Sequence, residues 1–245
     1  MPSWSMITHS WRLVRSGQCS PTWNMAVDEA LFLLAKRQDR IPILRLFRWE
    51  PAAVSIGHFQ DTGTPEIEQY LGQGYPLVRR PTGGLTVLHS GDLSYSIVGN
   101  VGKDGLPASR RALYRQAHEA IRDALYVVGL RPDLYAGAEQ KTLAGLCNAV
   151  PMRSDLIVNG DTKIGGSAQL RGEGAVLQHG CVHLGTLLDH RLFEQSVPDA
   201  FARNMGLAFT DSSLSNEEIE LAMHLQESKY TIDAWNLLGR QPDGE

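Results

Sequence analysis

Two arginines run directly into a pair of glycines in the segment 79–89. The segment reads Arg79, Arg80, Pro81, Thr82, Gly83, Gly84, Leu85, Thr86, Val87, Leu88 and His89. Adjacent glycines let the backbone adopt positive φ and leave room for a ligand against the main chain. Fixed cations beside exposed backbone N–H groups make a site for an anion or an acyl carbonyl. A hairpin whose arginines pair with surface carboxylates has the same pattern, and the segment alone does not separate the two interpretations.

A lysine precedes a second Gly-Gly pair further along the chain. This segment reads Lys163, Ile164, Gly165, Gly166, Ser167, Ala168 and Gln169. A lysine held against bare backbone can polarise a carbonyl or pair with a phosphate, although one such segment alone is more often a solvated turn. Two Gly-Gly segments, one with arginine and one with lysine, favour a shared pocket. His179 and Gly180, on a later strand, are further candidates for that pocket.

The three cysteines differ in their surroundings. No pair of them has the spacing of zinc ligands, and their odd number implies no disulfide framework. Cys147 lies in a stretch of small residues that ends at Pro151, and loops carry nucleophiles more often than core strands do. Cys181 lies in an apolar strand and is predicted to be an inert core thiol. Cys19 lies in a turn and has no local partner, which leaves Cys147 as the candidate nucleophile.

Hydrophobic periodicity and turn residues predict the elements that position these segments. Strands are predicted at 11–14, 43–49, 52–57, 76–80, 86–89 and 92–98, and a meander at 156–158, 162–164, 167–171 and 175–184. A helix from residue 23, capped by Ser20 or Thr22, has Asp28 and Glu29 near its positive start. Further helices are predicted at 65–72, 109–125, 216–226 and 232–238. Tight turns should join the strands around residues 82–84 and 90–91. This order favours an α+β domain over a doubly wound parallel sheet.

The composition is that of an ordinary globular domain. The 245 residues include 23 Lys and Arg against 27 Asp and Glu, a net charge of −4, and 42% are hydrophobic. This balance has none of the basic excess that is typical of nucleic-acid-binding proteins. No apolar run is long enough to span a bilayer, and the N terminus has no export signal. We therefore expect one cytoplasmic domain over residues 1–245 that binds neither nucleic acid nor membrane.

Taken together, these segments resemble the superfamily of lipoate ligases, octanoyltransferases and biotin ligases. Residues 79–89 with 93–96 resemble its acyl-pocket motif, and residues 163–169 with 178–180 resemble its lysine motif. Residues 20–31 and 225–236 also match, so the resemblance covers nearly the whole chain. It implies a biotin/lipoate ligase-like catalytic domain with a mixed, largely antiparallel sheet flanked by helices.

The chain most resembles the octanoyltransferase class whose cysteine lies about one strand before the lysine motif, as Cys147 precedes Lys163. ATP-dependent lipoate ligases commonly carry a C-terminal accessory domain, for which this sequence leaves no room. The resemblance implies that Cys147 is the nucleophile and that Lys163 holds the acyl carbonyl, with no metal and no cofactor. It implies substrate-binding roles for Arg79, Arg80, Thr82, Gly83, Gly84, His89, Gly165, Gly166, Ser167, Ala168, His179 and Gly180.

The implied reaction is the transfer of an octanoyl group from octanoyl-acyl-carrier protein, through a cysteine thioester, to a lysine of a lipoyl-domain protein such as the glycine cleavage H protein. Three alternatives stay open. The first is an amidotransferase between lipoyl-domain proteins, and the second is an ATP-dependent ligase whose accessory domain is a separate chain. The third is a non-enzymatic scaffold that binds lipoyl domains, suggested by Ser90 and Asn148 at positions where the class usually has other residues.

Both expected protein partners are typically acidic, and a net charge of −4 offers them no bulk attraction. Docking should therefore depend on local basic patches and weaken with salt. The long predicted helix at 109–125 offers such a patch in Arg110, Arg111 and Arg115.

Overall fold

The computed structural model describes residues 9–137, 151–185 and 189–240. Within these ranges the strands are β1 (His9–Cys19), β2 (Ile43–Trp49), β3 (Ala53–Ile56), β4 (Leu77–Arg79), β5 (Val87–His89), β6 (Leu93–Asn100), β7 (Asp133–Leu134), β8 (Leu156–Val158), β9 (Thr162–Gly172), β10 (Ala175–Val182) and β11 (Leu207–Asp211). The helices are α1 (Pro21–Ala35), α2 (Pro65–Gly72), α3 (Arg110–Val127), α4 (His190–Met205), α5 (Asn216–Leu225) and α6 (Asp233–Asn236), with a π-helical turn at Gln226–Tyr230.

The strands form one large and one small sheet. The large sheet has the order β11-β1-β2-β6-β10-β9-β8-β7, and the small one has the order β4-β3-β5. In the large sheet β1 runs parallel to both β11 and β2, and every pairing from β2 to β7 is antiparallel. The prediction of an α+β fold with a mixed, largely antiparallel sheet is therefore confirmed.

Helices cover both faces of the large sheet because the side chains of each strand alternate between the faces. On β2, Leu44 and Leu46 pack into a core with α3 and α4. Ile43 and Phe47 of the same strand pack into a second core with α1 and α5. Arg45 shares the face of Ile43 and Phe47, so this strand directs a buried cation toward α1.

Sequence signals for the ends of the helices agree with the structure. Ser20 caps α1 by accepting a hydrogen bond from the backbone of Trp23, with Pro21 in the first turn. Ser109 caps α3 in the same way. Among the described residues, no helix is both long and apolar enough to cross a membrane.

Three expectations about the elements are wrong. The predicted strands at 76–80 and 86–89 do not pair with each other, because β3 lies between β4 and β5. The two strands expected at 162–164 and 167–171 are the single strand β9, which continues through Gly165 and Gly166. Helix α4 was not expected, because Pro198 interrupts the helical pattern of its sequence.

We expect Leu113→Ala to lower the free energy of unfolding by about 2–5 kcal/mol, because Leu113 is fully buried between α3 and the large sheet. Urea denaturation measures the change. Val127→Ala, at a half-exposed position of the same helix, is the control and should change it by less than about 0.5 kcal/mol. Equal losses in the two variants would contradict the assigned packing of α3.

Candidate active site

A narrow cavity lies where the two sheets meet, between the Gly-Gly segments of the sequence. Its apolar walls include Phe47 and Trp49 of β2 and Val87 of β5. Its volume of about 50 Å³ holds a few water molecules and makes it a slot rather than a chamber. Such a site has the apolar lining and the few convergent polar groups of a small-ligand pocket.

Most of the residues proposed from the sequence converge on this cavity. Those that line it are Arg80, Gly84, His89, Lys163, Gly166, Ser167, Ala168, His179 and Gly180. Gly83 lines a neighbouring groove instead, and Thr82 lies behind the lining, where its hydroxyl contacts His179. Arg79 and Gly165 line neither space. The candidate nucleophile Cys147 lies outside the described residues.

The two adjacent arginines have different tasks. Arg79 is buried and donates hydrogen bonds to main-chain carbonyls, three of them at Gly57, His58 and Gln60 and two at Trp235 and Leu237. It braces the loops around the site and does not contact the cavity. Arg80 is also buried and bonds to Ser55 Oγ and to two carbonyls of the Gly-Gly turn, those of Gly83 and Leu85. Both arginines are buried, and β4 and β5 do not pair with each other because β3 lies between them, so the interpretation as a hairpin with surface arginines is wrong.

Backbone atoms pack tightly against the first Gly-Gly pair. A Cβ placed on Gly57 would lie 1.9 Å from the carbonyl oxygen of Gly84, a distance no side chain tolerates. Gly84 has a φ of +96°, which disfavours any other residue there. The end of β3 and the turn after β4 are thereby held against each other beside the cavity.

Lys163 is fixed by a buried ion pair that sequence reasoning missed. Its Nζ lies 2.7 Å from Asp155 Oδ2, and both side chains are almost fully buried. Asp155 also accepts hydrogen bonds from the Tyr114 hydroxyl and from the backbone of Met152. The Tyr114 oxygen in turn accepts from the backbone N–H of Ser167. Burial and the adjacent Asp155 raise the pKa of Tyr114 well above its ordinary value, so its hydroxyl stays a donor.

Gly166 allows the lysine to lie against the strand. A Cβ at this position would be 2.7 Å from Lys163 Cε and 2.8 Å from its Nζ. The second Gly-Gly pair therefore makes room for the lysine side chain itself within an extended strand, and not for a turn.

A second polar network joins the other Gly-Gly segment to the core. Thr82 Oγ1 lies 2.7 Å from His179 Nε2, and His179 Nδ1 lies 3.1 Å from Asp28 Oδ2. Asp28 Oδ1 accepts from Arg45, at 2.8 Å, and from Ser96. All of these side chains are buried.

The protonation of this network follows from its surroundings. Burial lowers the pKa of His179 and outweighs the opposing effect of Asp28. The imidazole is therefore neutral at pH 7. Burial would raise the pKa of Asp28, but the hydrogen bond of His179 and the charge of Arg45 outweigh this effect and hold that pKa below its ordinary value. The proton of His179 is therefore on Nδ1, facing the carboxylate, and Nε2 accepts from the Thr82 hydroxyl.

His89 belongs to a third network along the cavity wall. Arg80 donates to Ser55 Oγ, whose hydroxyl lies 2.8 Å from His89 Nε2, and His89 Nδ1 lies 2.8 Å from Asp92 Oδ2. The imidazole stacks on the Trp49 indole with ring centroids 3.9 Å apart. Burial lowers the pKa of His89, so it acts as a neutral spacer in the wall.

Cys181 lines the cavity, which its interpretation as a core thiol did not anticipate. Its sulfur lies 3.8 Å from His183 Nε2. It also lies within 4.8 Å of ligand atoms of His89 and Asp92. Both nitrogens of His89 make hydrogen bonds, to Ser55 and Asp92, so a metal ion there would have to displace one of them.

The fold and the site together present a buried lysine and a Gly-Gly turn to a narrow apolar slot. Residues 20–205 match the family described as the Lipoyl protein ligase A/B catalytic domain, and the chain belongs to this family.

Relatives that are similar over nearly their whole length carry one name. The proteins named Octanoyltransferase LipM of Lysinibacillus sphaericus and Bacillus subtilis are 32% and 30% identical to this chain. The first alignment covers 93% of this chain and 98% of the relative, and the second covers 94% and 99%.

Solved structures share the fold at lower identity. A lipoate-protein ligase A bound with ATP superposes with a TM-score of 0.78 at 23% identity, covering 93% of this chain and 98% of its own. A bipartite lipoate protein ligase from Thermoplasma acidophilum, described with its E2 lipoyl domain, gives 0.78 at 21% identity, covering 97% and 100%. The lipoate-ligase fold expected from the sequence is confirmed.

We expect Asp28→Asn to lower the free energy of unfolding at pH 7 by about 3–5 kcal/mol, because the amide leaves Arg45 buried without its counter-charge. Folding lowers the pKa of Asp28, so the stabilisation by its carboxylate is present at neutral pH and is lost as the pH falls below the unfolded value. The difference in the free energy of unfolding between variant and wild type should therefore become smaller below about pH 4. Urea denaturation at several pH values measures it.

The exposed Asp161→Asn serves as the control and should track the wild type at every pH. A difference in the free energy of unfolding between Asp28→Asn and the wild type that stays constant down to acid pH would contradict the lowered pKa of Asp28.

Proposed function

We propose that the protein is an octanoyltransferase of lipoate biosynthesis that carries the acyl group on Cys147. Two relatives that cover nearly the whole chain bear the name octanoyltransferase. The observation that carries the proposal is the slot itself, in which Lys163 and the Gly-Gly turn at Gly84 meet apolar walls. These are the groups that acyl transfer needs: a chain-binding surface and fixed positive charge at the carbonyl.

The first half-reaction takes the acyl group from octanoyl-acyl-carrier protein. The Cys147 thiolate attacks the thioester carbonyl, the bond to the carrier's sulfur breaks, and the carrier leaves as a thiolate. An octanoyl thioester of Cys147 remains. One thioester replaces another, so the free energy change of the step is small and no ATP is needed.

The second half-reaction transfers the octanoyl group to a lysine of a lipoyl-domain protein, in our proposal the glycine cleavage H protein. The neutral lysine amine attacks the thioester, the C–N bond forms, and Cys147 leaves as a thiolate. The amine loses its proton in the process. Amide formation from a thioester is downhill and drives the overall transfer.

The described residues supply the electrostatics of both steps. The Lys163 ammonium, held by Asp155, faces the slot and stabilises the oxyanion that forms at the carbonyl. Asp155 and Tyr114 fix its position before substrate arrives, so little reorganisation is needed during the reaction. Arg80 holds the Gly-Gly turn from behind through the carbonyls of Gly83 and Leu85.

His179 lines the slot and is suited to take the proton of the attacking lysine. Its imidazole is neutral, Thr82 contacts its Nε2 from behind the lining, and Asp28 at Nδ1 stabilises an imidazolium if one forms.

The alternatives differ in donor and in dependence on ATP. An amidotransferase would take the octanoyl group from a lipoyl-domain protein and ignore the carrier protein. An ATP-dependent ligase would release pyrophosphate and work without Cys147. A scaffold would bind its partners and form no acyl-enzyme. The solved lipoate ligases support the shared fold and do not favour ligation, because their identity to this chain is only 21–23%.

We expect incubation with octanoyl-acyl-carrier protein, without ATP, to add the mass of one octanoyl group to the protein. Intact-protein mass spectrometry measures the addition, and peptide mapping should locate it on Cys147 and not on Cys181, the thiol that lines the cavity. Cys147→Ala should abolish both the adduct and octanoyl transfer, because no thiolate remains to attack the thioester.

Cys19→Ala is the matched control and should retain the adduct, since Cys19 lies outside the cavity lining. Full transfer by Cys147→Ala, or transfer that appears only with ATP, would overturn the covalent scheme.

We expect Lys163→Met to lower kcat for octanoyl transfer by about 10²–10³-fold, because the fixed charge at the carbonyl is lost. Steady-state kinetics measures the effect, with circular dichroism to verify folding, since the variant leaves Asp155 without its buried partner. The exposed Lys103→Met is the control and should keep the wild-type rate. A folded Lys163→Met protein with an unchanged kcat would remove Lys163 from the mechanism.

A further inference from the structure

A groove rich in arginine lies next to the slot. Its cationic residues come from two separate segments: Arg110, Arg111 and Arg115 from the first turns of α3, and Arg153 from the residues before β8. The groove has a volume of about 730 Å³, far larger than the slot. Its arginines are all exposed, in contrast to the buried Arg79 and Arg80.

The groove and the slot are continuous. Gly84, Ser167 and Ala168 line both, so a molecule whose end occupies the slot extends into the groove past these small residues. Gly83, the other half of the first Gly-Gly pair, also lines the groove. The slot therefore opens into the arginine-rich groove.

Hydrogen bonds connect both sides of the groove to Lys163 through Asp155. On the α3 side, the Tyr114 hydroxyl donates to Asp155, the partner of Lys163. On the other side, Asp155 Oδ2 accepts from the backbone of Met152, the residue next to Arg153. The carboxylate that positions the lysine therefore also holds the two backbone segments that carry the arginines.

Three of the groove's arginines, Arg110, Arg115 and Arg153, have little charge compensation from the described residues. Within the described part of the chain, the structure shows no salt bridge for Arg110 or Arg153, and Arg115 has one partner, Glu119, at 3.8 Å on an exposed surface. Such exposed pairs contribute little. In a protein with a net charge of −4, this concentration of cations at the mouth of the slot indicates an anionic ligand.

We propose that this groove binds the phosphodiester of the arm that presents the acyl thioester on an acidic acyl-carrier protein. The inference rests on the proposed function and names how its donor is recognised. Arginine is suited to phosphate because its planar guanidinium offers paired donors. With the octanoyl chain in the slot and its carbonyl at Lys163, the rest of the arm leaves the slot where the arginines begin.

Both partner proteins are expected to be acidic, but the charges of their reacting arms favour the donor as the occupant. The reacting group of the acceptor is a lysine side chain, whose ammonium the four arginines repel. The donor's arm carries a negative phosphodiester, which they attract. The groove therefore selects the donor for the first half-reaction, and the acceptor lysine must reach the thioester by another approach or after the arm has left.

The test compares ligands that differ only in the phosphate. Binding of octanoyl-phosphopantetheine and of octanoyl-pantetheine is measured by titration calorimetry with the full chain carrying Cys147→Ala, which prevents turnover. We expect this protein to prefer the phosphorylated ligand by at least about tenfold. In the added double variant Arg110→Ala/Arg153→Ala the preference should fall to within about twofold of unity. Arg203→Ala, on the exposed side of α4, is the matched control and should keep the full preference.

A second measurement uses the carrier protein. The double variant in the active protein should raise KM for octanoyl-acyl-carrier protein and flatten its salt dependence, with KM for the acceptor unchanged. Equal affinity for the two pantetheine ligands without the arginine substitutions, or a double variant that raises KM for the acceptor instead, would overturn the groove assignment. Absence of any transfer from the carrier by the wild type would overturn the proposed function, which the transfer assay reports separately.

Discussion

The buried carboxylate of Asp28 is the interaction on which the site depends. It accepts from Arg45 of β2, Ser96 of β6 and His179 of β10, and it lies on α1 itself. One polar side chain from each element thus meets beside the cavity, and removal of Asp28 would leave the charge of Arg45 uncompensated in the core. Because His179 in turn holds Thr82, the geometry of the first Gly-Gly turn is specified from the centre of the protein.

The rest of the site repeats the same arrangement with other residues. Asp155 holds Lys163 and Tyr114, and Asp92 holds His89 against Trp49. In each case a buried carboxylate behind the wall orients the group that faces the slot. The carboxylates hold the polar groups in place beside the apolar walls of the slot, so fixed dipoles and an apolar surface lie side by side.

The sequence was sufficient for the fold class and for the convergence of the two Gly-Gly segments, because both depend on local patterns. It was insufficient where contacts are remote. Alternation along a strand requires two adjacent arginines to face opposite sides. Nothing in the sequence indicates that Arg80 is the one that faces the slot and Arg79 the one that faces away. Asp28 was interpreted as a charge near a helix start. The usable signal was a carboxylate on the apolar face of α1 with an arginine, Arg45, inside an apolar strand. Asp155 and Tyr114 had no comparable signal.

The brace around Arg79 has a consequence for how the protein is made. Its guanidinium bonds to the carbonyls of Trp235 and Leu237, the first of them 156 positions further along the chain, and its backbone is held by Asn236. The loop at residues 57–60, which packs next to the Gly-Gly turn at Gly84, therefore lacks part of its support until this distant stretch has left the ribosome. During translation most of the large sheet can assemble first, and the support of this loop comes later. A nascent chain then presents no finished site to its partners.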